Sequence, residues 1–146
     1  MFTRRVAIVA PVILLGLLAS ACSRTDPEKE LRSSIAAMAQ AIEQHRVSDA
    51  LEPVADDFTR ESGAFGKQDA RRVLAGAMLR NEKIRLSATV TDVRVEGDRA
   101  FATVRVIATG GAGLLPERGQ TWEFDTAWRR ERDRWKVFNA EWREGL

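Results

Sequence analysis

The chain has 146 residues, 45% of them apolar and 30% charged, the proportions of one ordinary globular domain. That balance excludes a collagenous, intrinsically disordered or multi-domain protein. Arg4 and Arg5 account for the whole basic surplus: taking them from the 23 Lys and Arg leaves 21 against 21 Asp and Glu, so a nucleic-acid role, which needs a basic surface to neutralise phosphates, loses its support.

The first 21 residues have the three zones of a secretory signal. Arg4 and Arg5 make a basic start, Val6 to Leu18 an apolar core interrupted by Pro11 and Gly16, and Ala19, Ser20 and Ala21 a run of small residues before Cys22. The apolar core holds 13 residues, whereas a helix that spans a bilayer needs about 20. Cys22 is the one cysteine of the chain, so it cannot close an internal disulfide. Small residues followed by this Cys resemble the lipobox of bacterial lipoproteins. The resemblance implies cleavage after Ala21, lipidation of Cys22 and, because Ser23 rather than Asp follows, the periplasmic face of an outer membrane. Two or more acyl chains give stable anchoring. Residues 22–27 then form a short tether, and the globule sits close to the lipid, since a few extended residues reach at most about 14 Å.

Residues 28–146 read as a single domain. Thr25 and Asp26 offer a helix cap, Pro27 suits a first turn, Glu28 and Glu30 face the positive dipole end, and Leu31, Ile35, Met38 and Ile42 recur at helical spacing. This first helix is predicted to reach about His45. A second short helix is predicted from Ser48 through Ala50, Leu51, Val54 and Ala55, ended by Asp56 and Asp57, with Phe58 in a short extended piece. Gly63 and Gly66 break the chain. A third helix follows, with Ala70, Val73, Leu74, Ala77 and Met78 on one face and Asn81 as its stop.

From Ile84 the period changes to two. Ile84, Leu86, Ala88 and Val90 alternate with polar residues, the phase slips at Thr91 and Asp92, and alternation resumes at Val93 and Val95: the mark of a β-bulge in a long strand. Glu96-Gly97-Asp98-Arg99 is a tight hairpin turn, returning through Ala100, Ala102, Val104 and Val106. Thr109 to Gly119, with Leu114, Leu115 and Pro116, is predicted as a loop. Trp122, Phe124, Thr126 and Trp128 then alternate along a strand, Arg129 to Arg134 turn, and Trp135 to Trp142 return.

Val54-Ala55-Asp56-Asp57-Phe58, Val95-Glu96-Gly97-Asp98-Arg99-Ala100 and the hairpin from Trp128 to Val137 are similar to the punctuation of the nuclear transport factor 2-like fold, which includes ketosteroid isomerases and SnoaL-like cyclases. The resemblance implies an α+β cone: three N-terminal helices packed on a curved, bulged, mainly antiparallel sheet. It does not imply a chemistry, because this fold hosts enzymes and binding modules alike.

If Thr126 pairs with Val137, one face of the last hairpin collects Trp122, Phe124, Thr126, Trp128, Trp135, Val137, Asn139 and Glu141. Such a face has two readings. It is either a small-molecule pocket with a few convergent polar groups, its candidate residues being Trp122, Phe124, Thr126, Trp128, Asn139 and Glu141, or a packed core from which Glu141 snorkels out. Phe138 and Trp142 would then lie on the opposite, outer face, where family members commonly form homodimers.

No catalytic residue is assigned. The chain has no tyrosine, hence not the oxyanion donor of the ketosteroid isomerases, and its one histidine, His45, falls at a helix end. Asp56, Asp57 and Asp125 are the leftover carboxylates. No metal site or cofactor is expected: the Cys and His ligands are too few, and Gly110, Gly111 and Gly113 lack the Lys-Ser/Thr pair and helix start of a phosphate loop. Arg129, Arg130, Arg132, Arg134 and Lys136, with Glu131 and Asp133 among them, read as a solvated hairpin tip. The leading expectation is a non-catalytic lipoprotein that binds a small apolar ligand or a protein partner at the membrane. The alternatives are an isomerase- or cyclase-type enzyme using a cavity carboxylate, and a structural envelope protein with a filled core.

Overall fold

The computed structural model describes residues 25–61, 63–111 and 119–145. The signal segment, Cys22, Gly113 and the Leu114-Leu115 pair lie outside the described residues, and no described helix is long and apolar enough to cross a membrane. The elements in chain order are α1 (Pro27–Glu43), α2 (Val47–Leu51), β1 (Val54–Arg60), β2 (Phe65–Gly66), α3 (Lys67–Arg80), β3 (Lys83–Glu96), β4 (Arg99–Gly111), β5 (Gln120–Glu131) and β6 (Arg134–Glu144). The strands form one sheet in the order β2-β1-β6-β5-β4-β3. It is a mixed sheet: β1 runs parallel to β6 and every other pairing is antiparallel.

Helix α1 starts as its sequence dictates. The Asp26 carboxylate accepts the Glu28 N–H at 3.0 Å, Pro27 takes a position where no N–H is needed, and Leu31, Ile35 and Ala41 are buried. The helix ends at Glu43, two residues short of His45, which has left the helix with φ at 58°. Two bonds fasten its start to the sheet: Trp135 Nε1 donates to the Pro27 carbonyl at 3.0 Å, and Arg130 donates to Glu30 at 3.0 Å. At its far end the Glu43 carboxylate accepts the Leu86 N–H at 2.7 Å. Leu86 is on the edge strand β3, so this bond occupies a backbone donor that no further strand would satisfy.

The second helix is shorter than expected. It stops at Leu51, and Val54, Ala55, Asp56 and Asp57 belong to strand β1. Pro53 is the physical reason: it has no N–H to continue a helix, while its carbonyl accepts the Val137 N–H at 2.9 Å and starts the pairing with β6. Asp56 and Asp57 therefore do not terminate a helix; both are exposed, opposite Lys67 and Arg129.

The slip at Thr91 is a bulge, since Val90 pairs with Val104 and Asp92 with Thr103. The turn between β3 and β4 has Gly97 at φ 60°, a left-handed conformation that glycine adopts without a Cβ clash. In the β5–β6 turn, Arg132 and Asp133 both have positive φ, 49° and 64°, as a two-residue type I′ turn requires. A second irregularity was not legible in advance. Trp128 pairs with Val137 and Ala127 with Asn139, so Phe138 is an extra residue and the Thr126–Val137 register is replaced by Thr126–Ala140. Beyond that bulge every β6 side chain changes face. Ala140 and Trp142 turn toward the helices; Asn139 and Glu141 turn outward. Trp142 is thus no part of the outer face. Phe138 lies under two guanidinium groups, with Arg99 at 5.0 Å and Arg129 at 5.3 Å from its ring centroid.

The core gathers Leu31, Ile35, Leu51, Val54 and Phe58 against Val104, Trp128, Trp135 and Val137. Trp128 is 2% exposed and its indole N–H donates to the Thr126 hydroxyl at 2.7 Å, which itself donates to the Ala102 carbonyl at 2.7 Å. Thr126→Val keeps the shape and removes that acceptor, leaving a buried indole donor unpaired; urea unfolding is expected to show a loss of about 1–3 kcal/mol.

The ion pairs of Glu52 and Asp57 lie on the exterior. A hydrogen bond from Lys136, helped by the charges of Lys136 and Arg134, holds the Glu52 carboxyl below its ordinary range, and a bidentate hydrogen bond from Arg129 does the same for Asp57. A depressed folded-state value stabilises the protein above the unfolded-state value, and that stability is lost as the pH falls through the folded one. Wild type is therefore expected to lose melting temperature more steeply below about pH 4 than Glu52→Gln/Asp57→Asn, and thermal melts between pH 7 and pH 2.5 measure the difference.

Candidate functional site: an apolar cavity in the cone

Alternation along β3, β4, β5 and β6 turns one entire face of the sheet toward the helices. Helix α1 packs on β3 and α2, whereas α3 packs on β1, β2 and α2. Between them is a cavity of about 490 Å³, within the size range of small-molecule sites. α1 contributes Ile35, Met38 and Ile42 to its wall, α3 contributes Ala70, Val73, Leu74 and Ala77, and the sheet supplies the rest. The helical face of α3 that the sequence assigns to the core is thus mostly cavity wall: of its five apolar residues only Met78 is buried, and Val73 is 58% exposed although it lines the cavity.

Every lining residue except Thr126 is apolar. The Thr126 hydroxyl already accepts from Trp128 and donates to Ala102, so its proton is committed to the wall. No titratable side chain lines the cavity among the described residues. His45 is exposed and not in the wall. Asp56 is paired with Lys67 and Asp57 with Arg129, both on the exterior. Asp125 is on the outer sheet face, where it accepts the Thr103 hydroxyl at 2.9 Å. Among the described residues no group of three or more His, Cys, Asp or Glu is placed to hold a metal ion, and Gly110 and Gly111 end strand β4 rather than opening a helix.

Of the six candidate pocket residues, Trp122, Phe124, Thr126 and Trp128 line the cavity together. Asn139 and Glu141 do not. They border a separate recess of about 310 Å³ on the outer face, with Asp92, Thr103 and Asp125. Asn139 acts there as a strap: its Nδ2 donates to the Thr59 carbonyl at 3.0 Å and to the Glu61 carbonyl at 3.3 Å, tying β6 to the end of β1. The reason for the misplacement is the Phe138 bulge, which exchanges the two faces.

Sequence reasoning missed Trp142, Phe65 and the helical wall. Trp142 stands in the cavity wall with Phe65 edge-on at 5.3 Å between ring centroids and Phe124 at 5.7 Å. Its place has no local sequence signal, because strict alternation from Trp135 would turn it outward. The helical wall had a signal, the apolar spacing of α1 and α3, but spacing alone does not separate residues that touch the sheet from residues that face a void.

No family model matches the sequence, and no curated protein matches it. Solved structures do match its shape. A provisionally named scytalone dehydratase from Novosphingobium aromaticivorans superposes with a TM-score of 0.68 at 12% identity, over 82% of this chain and 84% of that one. A provisionally named dehydratase of the NTF2-like family from Streptomyces avermitilis gives 0.66 at 18% identity, over 82% and 97%. An NTF2-like protein of unknown function from Pseudomonas putida gives 0.66 at 21% identity, over 79% and 84%. At these identities the likeness is one of fold: the domain has the nuclear transport factor 2-like architecture, with a cavity walled by this chain's own residues.

Proposed function

We propose that the domain is a non-catalytic binding module that takes one small, largely apolar ligand into the cone, and that lipid on Cys22 holds it at the periplasmic face of the outer membrane. The observation that carries the reading is the wall: about 490 Å³ of space bordered by apolar side chains and one hydroxyl already in use. An apolar void of this size gains by exchanging water for apolar ligand surface, at about 25 cal/mol per Å² buried. The dehydratase names of two structural neighbours favour a second reading, acid–base catalysis in the same cavity. That chemistry needs a proton-carrying group within hydrogen-bond reach of the substrate, and none of the described wall residues supplies one.

A neutral fluorescent probe such as N-phenyl-1-naphthylamine tests the pocket. Saturable enhancement at one probe per chain is expected, and Ala77→Trp, which places an indole from α3 into the cavity, is expected to weaken it at least about tenfold while the protein stays folded. A folded wild type that gives no saturable signal would remove the reading.

The anchor has its own test. The wild-type protein is expected in the membrane fraction of the producing cell with a mass raised by acyl groups. Cys22→Ala is expected in the soluble fraction without that mass. A wild type that is soluble and unmodified would refute the anchor and leave the pocket standing.

A further inference from the structure

Beyond a generic apolar ligand, the arrangement around Arg60 narrows the class, an inference that rests on the cavity being a binding site. Arg60 pairs with Ala140 on β6 and with Phe65 on β2, both on the face toward the helices, so its side chain leaves β1 on the same side as Phe58, a wall residue. The guanidinium carbon lies 4.1 Å from the centroid of the Trp142 ring, and Nη2 donates to the Trp142 carbonyl at 3.0 Å. Trp142 is itself part of the cavity wall. A cation is therefore fixed against the aromatic cluster of Trp142, Phe65 and Phe124, at the end of the sheet away from Trp135.

This cation is only partly paired within the chain. Arg60 Nε is buried without a hydrogen-bond partner, and the nearest carboxylate, Glu61 Oε1, stands 3.9 Å away on a side chain that is itself largely exposed. The other arginine on the inward face, Arg130, is satisfied: Glu30 bonds it at 3.0 Å beside the Trp135 ring, at the opposite end of the cone. A buried guanidinium donor left unpaired is costly, and bonds from a guanidinium to a carboxylate are among the stronger ones. Arg60 is not itself a wall residue, but its side chain is 36% exposed beside Trp142, so a ligand that combined an apolar body with one anionic head could fill the cavity and set an acceptor against the accessible edge of this guanidinium. We infer that the cone's ligand is a single-tailed anionic amphiphile of the fatty-acid class, its chain in the cavity and its carboxylate at Arg60.

The test compares dodecanoate with 1-dodecanol, which share a chain and differ in charge, by titrating the tryptophan fluorescence of the purified protein at pH 8 and low salt. Wild type is expected to bind dodecanoate about tenfold or more tightly than dodecanol, the scale of one charge-assisted bond. Arg60→Gln is expected to bring dodecanoate down to the level of dodecanol and to leave dodecanol within about twofold. Unchanged dodecanol binding also shows that the variant is folded. Equal binding of the two compounds by wild type, or equal weakening of both in Arg60→Gln, overturns the inference and leaves the apolar cavity intact. Binding of neither compound by folded wild type overturns both.

Discussion

The structure depends on one mismatch, between a wide apolar sheet face and the helices available to cover it. Six strands about 4.8 Å apart span about 24 Å, and a helix with its side chains is about 10 Å across. Two long helices could nearly roof such a face if they lay side by side. They do not: α1 is fastened over β3 and α3 over β1 and β2, so the middle of the sheet, including Val106, Trp122 and Phe124, borders a void. The bulges at Thr91 and Phe138 add to this by bending β3 and β6.

The two ends of the cone differ in how they are held. At one end the start of α1 is locked to the last hairpin by Trp135 on the Pro27 carbonyl and by Arg130 on Glu30. At the other end of β6, Trp142 faces the cavity and carries Arg60 on its ring. Since the chain enters α1 at the locked end, a lipid on Cys22 would place that end toward the membrane and the Arg60 end away from it.

Charge contributes differently in the two regions. Outside, pairs such as Arg32 with Glu28 and Arg46 with Asp49 are half-exposed, and pairs of that kind are worth little to stability. Inside, the wall has almost no polar group, so stability there comes from apolar burial around Leu31 and Trp128.

Much of the fold was legible because its signals are local. The Asp26-Pro27 cap, the apolar spacing of α1 and α3, the change to period two at Ile84, the slip at Thr91 and the Gly97 turn each act within a few residues. Where the reading failed, the deciding partner was distant in the chain. Val54 and Ala55 follow a short helix in sequence, but Pro53 and its bond to Val137 made them a strand. Asn139 and Glu141 share the parity of Trp135, but Phe138 takes an extra place beneath Arg99 and Arg129 and sends them outward. By itself the sequence determined the elements, the turns and an apolar stripe of tryptophans, because periodicity and capping are properties of neighbouring residues. Only the tertiary structure decided that the stripe lines a cavity and that Trp142, with Arg60 against its ring, joins the wall, because both depend on strand register and on where two helices come to rest.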